Sequence, residues 1–126
     1  DILSILLQDI TNSREEKRPS HLKMAEVRKY LDEHYTEKFS LEELSERFFI
    51  SKYHLSREFR NCYGITPSHY VIAKRITYAK KLLRFSDFSL EEIARSCGFY
   101  DPSYLNKQFK KSEGISASDF RKKWIN

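Results

Sequence analysis

In SKYHLSREFR, residues 51–60, Tyr53, Ser56, Arg57 and Arg60 fall within roughly 100° of arc on a helix, while Leu55 and Phe59 lie on the other side. The polar arc carries groups that suit a nucleic acid. A guanidinium can bond O6 and N7 of one guanine together, a tyrosine ring can meet a thymine methyl, and amines and hydroxyls can take phosphate oxygens. A solvated helix face would show the same pattern, so the elements around the segment must decide between the two readings.

Those elements repeat. SLEEL at 40–44 recurs as SLEEI at 89–93, an offset of 49, and Leu55, Phe59, Gly64 and Ile65 recur as Leu105, Phe109, Gly114 and Ile115, an offset of 50. One residue has been added in the turn between the helices of the second unit. Ser40 with Glu43 and Ser89 with Glu92 read as S-x-x-E capping boxes, and Phe39 with Leu44 and Phe88 with Ile93 as hydrophobic staples. Ser51, and Asp101 followed by Pro102, can start the second helix of each unit, which Gly64 and Gly114 can end in a left-handed residue. Gly98 also suits the tight turn between helices in the second copy. Phe49 occupies that place in the first and predicts a less comfortable geometry.

Moving the opening pattern by 50 residues gives Ser103, Asn106, Lys107 and Lys110. Both arcs are basic and free of acids, whereas Glu42, Glu43, Glu91 and Glu92 cluster at the starts of the supporting helices. Two helix-turn-helix units whose second helices present acid-free polar arcs fit major-groove reading of DNA. PSHYVIAKRITYAKKLLRF, residues 67–85, joins them with Tyr70, Ala73, Ile76, Ala79, Leu82 and Leu83 at helical spacing. Such a spacer is stiff and spans roughly 26 Å, against ~34 Å for one DNA turn.

The composition agrees. The chain has 126 residues, is 40% hydrophobic and 14% aromatic, and has only three Gly and three Pro, which predicts one all-α domain with a real core. Its net charge of +5 is uneven: residues 22–126 hold 20 basic against 14 acidic groups. That modest excess is compatible with a polyanionic partner. Cys62 and Cys97 are too few for a disulfide framework and are read as reduced thiols, and His21, His34 and His69 share no ligand spacing with them. Neither a nucleophile with an adjacent base nor a glycine-rich phosphate loop is present, so no enzymatic role, cofactor or metal is expected. No apolar run reaches membrane-spanning length and the start lacks the pattern of a signal peptide, which points to the cytoplasm and away from a membrane.

Residues 1–20 stand apart. Ile2, Leu3, Ile5, Leu6, Leu7 and Ile10 form a short apolar stripe, followed by the polar NSREEKRPS. With Asp rather than Met at position 1, they are expected to be a remnant helix and linker from an upstream domain, or part of a dimer helix. Residues 21–126 form the tandem domain: first unit 22–66, connecting helix 67–85, second unit 86–126. Met24, Val27, Leu31 and Tyr35 mark one face of its first helix.

GFYDPSYLNKQFKKSEGISASDFR, residues 98–121, with SKYHLSREF and the Arg75, Ala79, Leu82, Leu83 pattern, resembles the DNA-binding domain of AraC/XylS transcriptional regulators. The resemblance implies about seven helices, with two helix-turn-helix units entering successive major grooves of double-stranded DNA. Carried over by position, it places Tyr53, Ser56 and Arg57 against bases in the first unit, and Ser103, Asn106 and Lys107 in the second. Lys107 stands where the family often has Arg, whose planar fork lysine cannot reproduce, so Arg57 is expected to be the principal specificity residue. Lys52, Arg60, Lys110 and Lys111 suit phosphate contacts; His54, on the helix flank, suits a phosphate contact or a packed neutral ring. RNA polymerase is an expected further partner, and dimerisation would run through the upstream domain. A helical protein-interaction module without DNA specificity is the alternative.

Overall fold

The computed structural model describes residues 18–124, and among these every regular element is a helix. The order is α1 (Arg18–His34), α2 (Leu41–Arg47), α3 (Lys52–Tyr63), α4 (Pro67–Phe85), α5 (Leu90–Cys97), α6 (Pro102–Glu113) and α7 (Ala117–Lys122). The apolar stripe at 1–11 lies outside the described residues. Helix α1 begins at Arg18, inside the stretch read from sequence as a linker, with Pro19 in its first turn where a missing amide does no harm.

Two cores form, one per unit. Met24, Val27 and Leu31 from α1, Leu44 from α2, Leu55 and Phe59 from α3 and Val71 from α4 make the first. Ile76, Ala79 and Leu83 from α4 pack with Ile93, Ala94, Cys97, Phe99, Leu105, Phe109 and Ala117 to make the second. Helix α4 therefore serves both cores along its 19 residues, about 28 Å. Its buried face differs from the expected stripe. Ala73 is exposed and Tyr70 and Leu82 are half-buried, while Val71 and Arg75 are buried. Tyr70 instead turns its hydroxyl to Asp32 of α1, and Lys74 reaches the same carboxylate at 3.5 Å.

The local start and stop signals work largely as the sequence implies. Ser51 Oγ accepts the His54 amide at 3.1 Å, and Asp101 accepts the Ser103 amide at 2.9 Å with Pro102 in the first turn of α6. Gly64 and Gly114 close α3 and α6 at φ 80° and 81°. A full reciprocal box closes the start of α5, where the Glu92 amide meets Ser89 Oγ at 3.1 Å and the Ser89 amide meets the Glu92 carboxylate at 3.3 Å. At α2, Ser40 takes the Glu43 amide at 3.3 Å. The staples are unequal too: Phe39 packs on the first core, but Phe88 is 40% exposed beside a fully buried Ile93.

Two arginines fasten the loops ahead of α2 and α5. Arg121 of α7 donates to the carbonyls of Leu83 at 3.1 Å, Ser86 at 3.2 Å and Phe88 at 2.7 Å, satisfying the open end of α4 and the loop after it. Arg75 of α4 does the same for the loop between α1 and α2, with Nε 2.6 Å from the Tyr35 carbonyl oxygen and Nη2 2.8 Å from that of Glu37. Its burial pushes the guanidinium pKa down from the ordinary value. Lys80 of α4 pairs with Glu113 of α6 at 2.8 Å, and that bond holds the Glu113 carboxyl below its usual range.

Candidate nucleic-acid interface

Helices α3 and α6 are built alike. Each has 12 residues, a side-chain N-cap and a left-handed glycine C-cap, and each buries a Leu–Phe pair completely: Leu55 with Phe59, and Leu105 with Phe109. Because that pair fixes which side points inward, the opposite side faces out by the 3.6-residue period. Lys52, Tyr53, His54, Arg57, Arg60 and Asn61 are the exposed residues of α3. On α6, Ser103, Tyr104, Lys107, Lys110, Lys111 and Ser112 are exposed. Neither set contains an acid, and each contains three Lys or Arg.

The sequence-derived residues divide on this geometry. Tyr53 stands 75% exposed, and Arg57, Arg60, Lys52 and His54 share the open side with it. Ser56 is only half-buried at the border of the face. Ser103, Lys107, Lys110 and Lys111 are open in the second unit. Asn106 is half-buried, and its Oδ1 is buried without a hydrogen-bond partner among the described residues. The amide that would pair with adenine thus has part of its polar edge turned inward.

Asn61 and Tyr104 were not singled out from sequence, yet both lie on the open faces. Tyr104 is 40% exposed and packs its ring edge against Phe99 at 5.5 Å. A tyrosine one position before a buried leucine, exposed on the flank, is the available signal; His54 is its counterpart in α3. Exposed acids cluster instead on the supporting helices, with Glu42, Glu43, Glu46, Glu91 and Glu92 on α2 and α5. This segregation leaves two basic ridges backed by acidic ones.

Cys62 Sγ lies 3.7 Å from His21 Nδ1, but the described residues hold no group of three or more potential metal ligands. Burial pushes the Cys62 thiol up, with Glu58 adding to the effect, so it is a poor nucleophile near neutral pH. No described helix is long and apolar enough to cross a membrane.

Comparison with known proteins places this arrangement. A helix-turn-helix domain family model, HTH_18, matches residues 44–123. The chain is 38% identical over 97 residues to the uncharacterized HTH-type transcriptional regulator YisR of Bacillus subtilis, covering 77% of this chain and 34% of that protein. It is 34% identical over 99 residues to the transcriptional activator RhaS of Salmonella schwarzengrund, covering 79% and 36% respectively. The chain thus spans about a third of the length of these relatives. Among solved structures, the DNA-binding domain of AdpA, determined in complex with a target DNA, superposes with a TM-score of 0.75 at 35% identity, covering 80% of this chain and 91% of that one. The C-terminal domain of the response regulator yesN from Fusobacterium nucleatum gives 0.72 at 34%, covering 75% and 93%. With its paired helix-turn-helix units, shared central helix and matching family model, the chain belongs to the AraC/XylS-type helix-turn-helix family of transcriptional regulators.

Proposed function

We propose that this chain is the DNA-reading part of a transcription regulator and that it binds a specific duplex by placing α3 and α6 in successive major grooves. The observation that carries this reading is the twin construction of α3 and α6, each with a buried Leu–Phe pair behind an acid-free face bearing three cations. Two such ridges on one stiff α4 suit two grooves on one side of a duplex.

Within this reading Arg57 contacts guanine, Tyr53 and Ser56 contact neighbouring bases, and Ser103, Asn106 and Lys107 serve the second half-site. Lys52, His54, Arg60, Lys110 and Lys111 hold phosphates. Asn106 must rotate to offer both amide atoms to adenine. The protein acts without catalysis, in the cytoplasm, with RNA polymerase as a further partner, and any dimerisation runs through a part outside the described residues.

Selection of bound duplexes from a random pool, followed by gel-shift titration at one fixed salt concentration, tests the proposal. An enriched site with two half-sites about one turn apart is expected, and inserting about five base pairs between them should reduce affinity toward that of a single unit. Retention without sequence enrichment, or equal affinity for the inserted duplex, would overturn it.

A further inference from the structure

The two units differ by one residue, and the backbone shows which. In the first turn the Phe49 amide donates to the Glu46 carbonyl at 3.3 Å and the Ile50 amide to that of Ser45 at 3.0 Å. In the second, the Gly98 amide donates to Arg95 at 3.3 Å and the Phe99 amide to Ala94 at 2.9 Å. The same bonds therefore recur at an offset of 49 as far as Phe99. The N-caps that follow, Ser51 and Asp101, are offset by 50, so the added residue is Tyr100.

Tyr100 is costly where it stands. It sits at φ 64°, a left-handed conformation that a bulky side chain adopts only under constraint, and its ring remains 54% exposed. Its amide donates to the Ala94 carbonyl at 3.0 Å within the same turn, but the first unit makes that turn without a counterpart of Tyr100. Its hydroxyl instead donates across to the Thr36 carbonyl at 3.3 Å, in the loop that precedes α2 of the other unit.

Arg75 meets the same point from α4. It donates to Tyr35 and Glu37 of that loop, and its guanidinium carbon lies 5.7 Å from the centre of the Phe99 ring in the second turn. Loop α1–α2, helix α4 and turn α5–α6 thus converge on a single joint. Its mechanical consequence is simple. Two cores strung along one helix hold their mutual angle through that helix alone, and a bond placed off the helix axis adds resistance to torsion between them.

We infer that Arg75 and Tyr100 are positioning residues that tie the loop before α2 to the turn before α6, fixing the angle between α3 and α6 and hence the half-site spacing the protein accepts. The inference rests on the proposed two-groove reading. It requires no contact between Arg75 or Tyr100 and DNA.

The test uses the duplex obtained from the random pool, variants of it with one base pair added or removed between half-sites, and a duplex carrying one half-site alone. Wild type should bind one spacing sharply. Arg75→Lys, which cannot span both carbonyls, should lose about fivefold or more of the preference for that spacing, and Tyr100→Phe should change it in the same direction by less. Affinity for the single half-site should stay within about twofold. Uniform loss across all duplexes would show a merely structural role and overturn the inference, as would an unchanged spacing profile.

A second readout needs no DNA. Spin labels on Glu46→Cys and Arg95→Cys, in a Cys62→Ser background, report the distance between the supporting helices α2 and α5. The distribution should be narrow in the parent and broader in Arg75→Lys; equal widths would overturn the joint itself. A pool without enrichment would instead overturn the DNA reading, and the spacing role with it.

Discussion

Gly98 lies so close to Thr36 that a Cβ built on it would stand 2.7 Å from the Thr36 carbonyl oxygen, and 2.9 Å from Nε of Arg75. Gly98 also has φ 98°, so both sterics and backbone call for glycine. Gly98→Ala should therefore destabilise the protein by roughly 2 to 4 kcal/mol. Gly114→Ala is the control, because Gly114 has a similar φ of 81° but nothing within 4 Å, and should cost about 1 kcal/mol. Urea denaturation of both variants checks this, and equal losses would deny the close approach.

Phe49 is the counterpart of Gly98 and holds φ 56° while 91% exposed. Its ring gains little from packing, and its backbone is strained. Phe49→Gly should raise stability by about 0.5 to 1 kcal/mol, the relief of the left-handed strain less the added freedom of the unfolded chain. A lower melting temperature in the glycine variant would mean that the exposed ring has a stabilising contact.

Burial pushes the Cys97 thiol from its ordinary 9.0 to about 12, against the opposing charge of Arg75. A raised folded-state pKa means that the native protein holds the proton more tightly. The associated stability is complete below about pH 9 and is lost as pH rises toward 12. Between pH 9 and 11, wild type should lose stability faster than Cys97→Ala, in which this ionisation is absent. Parallel stability curves for the two proteins would contradict the shift.

Arg57 and Lys110 should separate by kind of contact. Arg57→Ala is expected to relax base preference at one or two positions, at about 1 to 3 kcal/mol of discrimination. Lys110→Ala should weaken all duplexes alike and lower the salt slope by about 1. Competition titrations against single-base variants of the selected site distinguish them, and identical sequence profiles would defeat the assignment.

Much of this fold can be read directly from sequence because its signals are local. Ser51, Asp101, Gly64 and Gly114 act through bonds to residues two to four positions away, and the Leu55–Phe59 and Leu105–Phe109 pairs declare the inward side by spacing alone. These fix the helices, the repeat and the outward basic faces. Tertiary structure decided what depends on distant partners. Arg75 belongs to the pattern that carries the family resemblance, but its spacing does not reveal its burial, which arises because carbonyls 38 and 40 residues away meet its guanidinium. Ala73 was expected inside and is outside, since Val71, Arg75 and Ile76 take the buried arc where two cores meet one helix. The repeat offset showed that a residue had been added, but only the backbone bonds identify Tyr100, and only its reach of 64 residues to Thr36 gives it a role. Caps and periodicity are settled within a turn or two of chain, whereas a joint between two units depends on how both have already packed.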